Sequence, residues 1–206
     1  MKRGLFISIE GPDGSGKSTQ IRLIEEFLNE NGMDAILTRE PGGTVISEKI
    51  RQIILDKEHI EMDPMTEALL YAASRAQHVA EVIKPGLQAG KTVICDRFVD
   101  SSIAYQGYGR HLGDAVRIIN EYAVAGCMPD ITFLLKVEPS VGKNRIKEEE
   151  LDRLENEQLD FHNAVFDGYL ELEKKYKDRI IGIDATKNIE EISNEIISSI
   201  KNILRD

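Results

Sequence analysis

The sequence predicts an α/β protein, a parallel sheet flanked by helices, and three observations carry that prediction. Short runs rich in β-branched residues alternate with longer helical patterns through the 206 residues, as strands joined by covering helices do. Breakers stand where the boundaries should fall, at Asn31-Gly32, Pro41-Gly42-Gly43, Ala89-Gly90 and Met128-Pro129-Asp130. A glycine-rich turn, Gly11-Pro12-Asp13-Gly14-Ser15-Gly16-Lys17-Ser18, separates a strand-like run from an amphipathic helical pattern.

The first strand is expected over 4–10, where Leu5-Phe6-Ile7-Ser8-Ile9 leads into the turn. A helix over 17–31 follows, because Ile21, Ile24 and Leu28 recur at i, i+3, i+7 with Leu23 and Phe27 beside them. A strand over 34–38 ends at Arg39-Glu40, and a helix over 45–55 comes after the Pro-Gly-Gly turn. The longest helical pattern, 64–89, contains Lys84-Pro85-Gly86, so a kink or break is predicted there. Thr92-Val93-Ile94-Cys95-Asp96 is a buried-strand pattern closed by a carboxylate. A helix over 114–126, a strand over 131–137, helices over 140–147 and 155–176, a strand over 179–183 and a helix over 189–204 complete the chain. With no repeat and no low-complexity linker, 1–206 reads as one domain. The least regular interval, 143–157, carries Glu148-Glu149-Glu150 between basic residues. Two readings stand for it: a solvated helix face, or a lid that closes over bound phosphates.

A formal net charge of −10 argues against a nucleic-acid surface, which needs basic patches. Cys95 and Cys127 have neither metal-ligand spacing nor the density of a secreted scaffold. No leader pattern and no stretch near eighteen apolar residues is visible, so a cytoplasmic protein with no membrane partner is expected. His59, His78, His111 and His162 show no ligand spacing, no Ser/His/Asp or Cys/His arrangement occurs, and the Asn-Lys-x-Asp stretch that reads guanine is missing.

What remains is phosphate chemistry. The turn matches G-x-x-x-x-G-K-[ST] between strand and helix, so its glycines let backbone N–H groups close around a polyphosphate at a helix N-terminus. Lys17 then reaches the β- and γ-phosphates, and the Ser18 hydroxyl ligates Mg²⁺. Asp96 ends a buried strand where such proteins present an acid toward the metal, and Arg97 beside it can fork two phosphate oxygens. Tyr71 and Arg75, four apart on one helical face, suit a nucleoside monophosphate, ring against base and guanidinium against phosphate. Alone, the pair reads equally as a core tyrosine beside a surface arginine, and Arg51 is uninformative in isolation. Ser101 to Gln106 offer hydroxyl, phenol and amide groups that can read a base edge, or simply start a helix. An acceptor that is itself a phosphate needs no strong base, so converging arginines are the feature to seek.

These blocks jointly resemble the thymidylate kinase family, the dTMP kinases among the P-loop nucleoside monophosphate kinases, and look like its bacterial branch. The residues that carry the resemblance are Glu10 to Thr19, Thr38-Arg39-Glu40-Pro41-Gly42-Gly43-Thr44, Glu48-Lys49-Ile50-Arg51, Leu70 to His78, Asp96-Arg97-Phe98, Ser101 to Gly107, and Leu151-Asp152-Arg153. The resemblance implies the P-loop NTPase fold with a five-stranded parallel sheet and a short lid, ATP and Mg²⁺ as cofactors, dTMP as acceptor, and a homodimer. It puts ATP on Gly11, Pro12, Asp13, Gly14, Ser15, Gly16, Lys17, Ser18 and Thr19, and the metal on Ser18 and Asp96. Asp13 lies near the acceptor's 3′-hydroxyl, and Tyr71 stacks on thymine. Arg75 and Gln106 reach the base edge or phosphate region, while Arg51 and Arg97 clamp the acceptor phosphate. Glu40 and Ser102 line the same pocket, and Tyr105 excludes a ribose 2′-hydroxyl. Lys17, Arg97, Asp96 and a lid cation are the implied catalytic set. Some relatives carry an arginine inside the phosphate loop, where this chain has Gly14. Its cation must therefore come from the lid, with Arg153 first and Arg145 and Lys147 behind it. The other readings are a kinase acting on a nucleoside 5′-hydroxyl, and a non-catalytic ATP-dependent switch.

Overall fold

A computed structural model describes residues 3–145 and 152–205. Five strands form one sheet, in which β1 is Phe6–Glu10, β2 Ala35–Arg39, β3 Thr92–Asp96, β4 Ile131–Lys136 and β5 Ile180–Asp184. Their order is β2-β3-β1-β4-β5 and every pairing is parallel. The β1 strand therefore sits centrally, and the chain reverses its direction of growth beside it. In an open parallel sheet the crevice beyond the carboxyl ends of such strands is where ligands bind.

Alternation along the inner strands decides which layer each side chain joins. Ile7, Ile9 and Ile94 face the helices α1 (Lys17–Glu30) and α9 (Ile189–Arg205), packing with Ile24, Leu28, Ile192, Ile196 and Ile200. Phe6, Val93 and Cys95 face the opposite layer, where Val79, Ile83, Leu87 and Phe98 meet them. The second helix, α2, spans Val45–Leu55 and is capped by Thr44, whose side chain accepts from Ser47 N. The third, α3, spans Pro64–His78, with Asp63 capping and Pro64 in the first turn, where its missing N–H costs nothing.

The predicted break near Pro85 takes the form of a widened turn rather than an end. After α3 the chain passes through a π-helical turn, Val79–Ile83, and continues as α4, Lys84–Gln88. Proline has no N–H for the carbonyl one turn back, and its ring crowds that carbonyl, so the helix loosens there. Beyond Asp96, where a helix start at Ser101 is one of the two expected readings, α5 (Val99–Ser102) runs directly into a second π-helical stretch, Ile103–Gly109. Two glycines and a four-residue first turn leave no helical period there to detect. The sixth helix, α6, spans Asp114–Val124.

The seventh, α7 (Pro139–Lys143), is shorter than the expected 140–147, the remainder of which lies partly outside the described residues. The eighth, α8, begins at Leu159 rather than 155 and ends at Lys175, because Asp152 organises the preceding turn by accepting from Leu154 N and Glu155 N. Packing of α8 on the 103–109 stretch needs Gly109, where a Cβ would come within 2.7 Å of the Phe161 ring. No helix among the described residues is long and apolar enough to cross a membrane.

Candidate active site

Two compartments open at the carboxyl ends of β1 and β3. The larger, an open trough of about 1050 Å³, runs along the Gly-rich turn from Asp13 to Gln20 and on to Ala185, Lys187 and Asn188. The smaller, about 130 Å³, is walled by Arg51, Tyr71, Arg75, Phe98, Ser102, Tyr105 and Gln106. Asp13, Glu40, Arg51, Arg97 and Glu155 border both, so the compartments meet at these side chains.

The turn has the backbone its glycines were expected to allow: φ is 140° at Gly11, 73° at Gly14 and 93° at Gly16. Gly14 is also closed to any side chain, since a Cβ there would stand 2.1 Å from the Gly142 carbonyl oxygen of α7. Lys17 Nζ donates to the carbonyls of Gly11 (3.1 Å) and Pro12 (2.9 Å). Burial pushes its ammonium down to about 8, Arg97 adds to that, and Asp13 and Asp96 act against it.

Arg97 occupies the junction. Its own φ is 64°, in the left-handed region, and the turn is held by Arg97 N donating to Ile9 O (3.0 Å) and Phe98 N to Glu10 Oε1 (2.7 Å). Its guanidinium donates to Gly11 O, Ser101 Oγ, the Tyr169 and Tyr105 hydroxyls, and Asp13. Tyr105 OH donates to the other Asp13 oxygen at 2.9 Å. Burial pushes the Asp13 carboxyl up, but Arg97 and Lys17 outweigh it and hold the group well below the usual carboxylate range. Glu10, fully buried behind this cluster, goes the other way, raised by burial and by Asp100. Arg51 reaches only the Pro41 carbonyl among the described residues, at 2.9 Å, which leaves most of its donors for an anion.

Arg75 departs from the surface-arginine reading, being 1% exposed. Its Nε donates to Glu40 Oε2 (2.7 Å), Nη1 to Ser102 Oγ (3.0 Å) and Asn120, and Nη2 to Phe98 O (3.0 Å). Glu40 in turn meets His78 Nδ1 at 2.9 Å, and His78 Nε2 lies 2.6 Å from Thr38 Oγ1. Arg75 is thus both a wall of the cavity and a strut of the core. Tyr71 lines the cavity as expected, and burial raises its phenol. Gln106 Nε2 donates to Glu67 Oε1 (2.9 Å).

The lid candidates separate. Arg153 turns away from the trough: its Nε donates to Ile54 O (2.8 Å) and its Nη2 to Glu67 (2.7 Å), with the side chain 8% exposed. Arg145, ranked behind it from sequence, lines the trough and donates to Gly14 O at 3.2 Å. Arg145 rather than Arg153 thus borders the trough, because a buried carboxylate captures Arg153. Lys147 lies outside the described residues. Ser18, Thr19 and Asp96 all border the trough, and Asp96 Oδ1 is buried without a hydrogen-bond partner. Among the described residues no group of three His, Cys, Asp or Glu could cage a metal, so a cation here would rest on Ser18, Asp96, phosphate and water. An orphaned buried carboxylate oxygen beside a hydroxyl fits that role.

Glu10 and His78 entered only as members of the family-like blocks, with no role assigned, and Glu67, Asn120 and Tyr169 were not singled out from sequence. Only long-range packing reveals them, apart from Glu67, whose place at i+4 before Tyr71 put it on the same helical face.

Residues 9–196 match the family model described as thymidylate kinase. A thymidylate kinase of Clostridium novyi is 51% identical over 205 residues, covering 98% of this chain and 100% of the relative. One from a Geobacillus species is 50% identical over 202 residues, covering 96% of each. Among solved structures, the crystal structure of thymidylate kinase from Ehrlichia chaffeensis superposes with a TM-score of 0.77 at 34% identity, covering 96% of this chain and 99% of that one.

Proposed function

The chain belongs to the thymidylate kinase family and phosphorylates dTMP to dTDP with ATP as donor, and from that premise we propose how its residues divide the work. ATP lies in the trough with its polyphosphate on Gly11 to Thr19, and dTMP enters the smaller cavity. The observation that carries this division is the shared border, where Asp13, Arg51 and Arg97 stand between two compartments of unequal size. A γ-phosphoryl group leaving the trough and a monophosphate rising from the cavity meet there. The acceptor phosphate is already ionised at neutral pH, so the task is to align two anions and offset their repulsion.

Arg51 holds the acceptor phosphate. Arg97, fixed by its backbone turn and its bonds to Asp13 and Tyr105, faces both anions at once. Lys17 follows the β- and γ-phosphates, and Arg145, already at the Gly14 carbonyl, supplies the further cation that a loop with glycine at position 14 lacks. Tyr71 stacks on the base, Gln106 and Arg75 read its edge, and Asp13 with Tyr105 borders the sugar. Mg²⁺, when bound, neutralises phosphate charge, and Ser18 and Asp96 would hold it. Residues 143–157 act as the lid, and Arg153 anchors its far end to α2 while Asp152 organises the turn that follows. The enzyme is cytoplasmic and a homodimer. Ile46 and Ile53 of α2, Leu69 of α3, and Ile118 and Tyr122 of α6 leave apolar side chains exposed on neighbouring helices, which favours a partner on that face.

Incubating the purified protein with ATP, Mg²⁺ and each nucleoside monophosphate, with ADP release as readout, tests the substrate assignment. A preference for dTMP over dCMP and AMP of about 10² or more is expected from a base edge read by hydrogen bonds. Equal rates would overturn it, and activity on thymidine but not dTMP would mark a 5′-hydroxyl kinase instead.

A further inference from the structure

Glu67 of α3 is wholly buried and lines neither compartment. Four donor bonds converge on it: Gln106 Nε2 at 2.9 Å, Arg110 Nε at 3.3 Å and Nη2 at 3.2 Å, and Arg153 Nη2 at 2.7 Å. Two of the partners are guanidiniums, which can only donate, so Glu67 is the acceptor in every one of these bonds. The Gln106 amide consequently has one tolerable orientation. Turned over, it would press carbonyl oxygen against carboxylate oxygen between two buried side chains. With Nε2 turned toward Glu67, the Gln106 atom left buried without a partner is Oε1.

Gln106 lines the small cavity at the end not shared with the phosphate trough, together with Tyr71, Arg75, Phe98 and Ser102. That end receives the base, on the reading given under Proposed function, on which this inference rests. There Arg75 can only donate and Gln106 Oε1 can only accept. A 4-oxo pyrimidine carrying a proton on N3 offers an acceptor beside a donor and fits this pair. A 4-amino pyrimidine offers a donor beside an acceptor and mismatches at both atoms.

We propose that Glu67 is a specificity-determining positioning residue: by fixing the Gln106 amide with its oxygen toward the cavity, it makes the enzyme select thymine over cytosine. It touches no substrate and acts through Gln106. A glutamine at position 67 would be able to donate as well as accept, and so would release Gln106 to turn over.

The test compares kcat/KM for dTMP and 5-methyl-dCMP, which share the methyl group and differ only in the hydrogen-bonding edge. Glu67→Gln is expected to lower the dTMP/5-methyl-dCMP ratio by about tenfold or more, the loss expected when one buried hydrogen bond no longer discriminates. In a Gln106→Leu background the same change should leave the ratio unmoved. If Glu67→Gln lowers kcat for both substrates alike with the ratio intact, Glu67 only anchors the lid through Arg153 and the proposal is overturned. If Gln106→Leu itself leaves dTMP turnover unchanged, the placement of the base fails, and the proposal with it. A measurement on the unaltered protein guards against a misfolded variant: nuclear magnetic resonance of ¹⁵N-labelled dTMP in complex should show coupling from the thymine imino group to the Gln106 side-chain carbonyl. Contact of the Gln106 amide protons with the base would refute the assignment.

Discussion

Lys17 bonds to two carbonyls of its own loop, and its charge is already weakened by burial. Its protein-bound value of about 8 lies below the ordinary lysine value of 10.5. Below pH 8 the ammonium is present in free and ATP-bound protein alike, so binding takes up no proton. Above pH 8 the free protein loses that proton while polyphosphate restores it, so ATP binding should take up nearly one proton and weaken as pH rises toward 10.5. Calorimetry of ATP binding in buffers of different ionisation enthalpy at pH 7 and pH 9 checks this, and equal proton uptake at both would contradict it. The two lid arginines make a second contrast. Arg145→Ala should lower kcat by about 10² with ATP affinity within a few fold, since the guanidinium serves charge that develops during transfer. Arg153→Ala should instead cost about 1–3 kcal/mol of stability, because it strips a buried partner from Glu67. Single-turnover rates beside thermal midpoints separate the two. The family resemblance put Arg153 first among the lid cations, but a motif carries no sign of which way a side chain points. Its direction was set by Glu67, 86 residues earlier in the chain.

Elements differ in how far the chain announced them. Those with a full period, such as α1, α2 and the five strands, lie within a few residues of where the pattern put them. The stretch 99–109 did not, because its helical turns are held from outside: Glu10 of β1 takes both Phe98 N and Ser101 Oγ. That same stretch delivers Ser102, Tyr105 and Gln106 to the cavity and lies against α8 through Gly109. Gly109→Ala should therefore push Phe161 and Val165 aside, at a cost of about 1–3 kcal/mol, or roughly 2–4 °C of thermal midpoint per kcal/mol in a chain of this size. Differential scanning calorimetry measures the loss, and an unchanged midpoint would show that α8 can retreat freely.

At the scale of the molecule, the sheet order makes two binding compartments unavoidable neighbours. With β1 central, the loop after β1 is the glycine-rich turn to which we assign the donor's phosphates, and Asp96 and Arg97 stand at the end of the adjacent β3. The shape of the glycine-rich loop was legible in one short motif, since its backbone needs glycines at fixed spacing. The acceptor half was legible only as scattered blocks whose convergence depends on the fold. Exposed apolar side chains on α2, α3 and α6 argue for association, and light scattering should find a dimer that Tyr122→Asp together with Leu69→Asp converts to monomer. A dimer persisting in that variant would place the interface elsewhere. The contact between Gly14 and Gly142 has a consequence for how this active site can change. Because the α7 backbone stands where a side chain at position 14 would begin, an arginine cannot be installed in the loop by one substitution. Gly14→Arg should fail to rescue Arg145→Ala until the α7 turn is rebuilt. The choice between a loop arginine and a lid arginine is thus locked in by main-chain contact, and switching from one to the other requires several coordinated mutations.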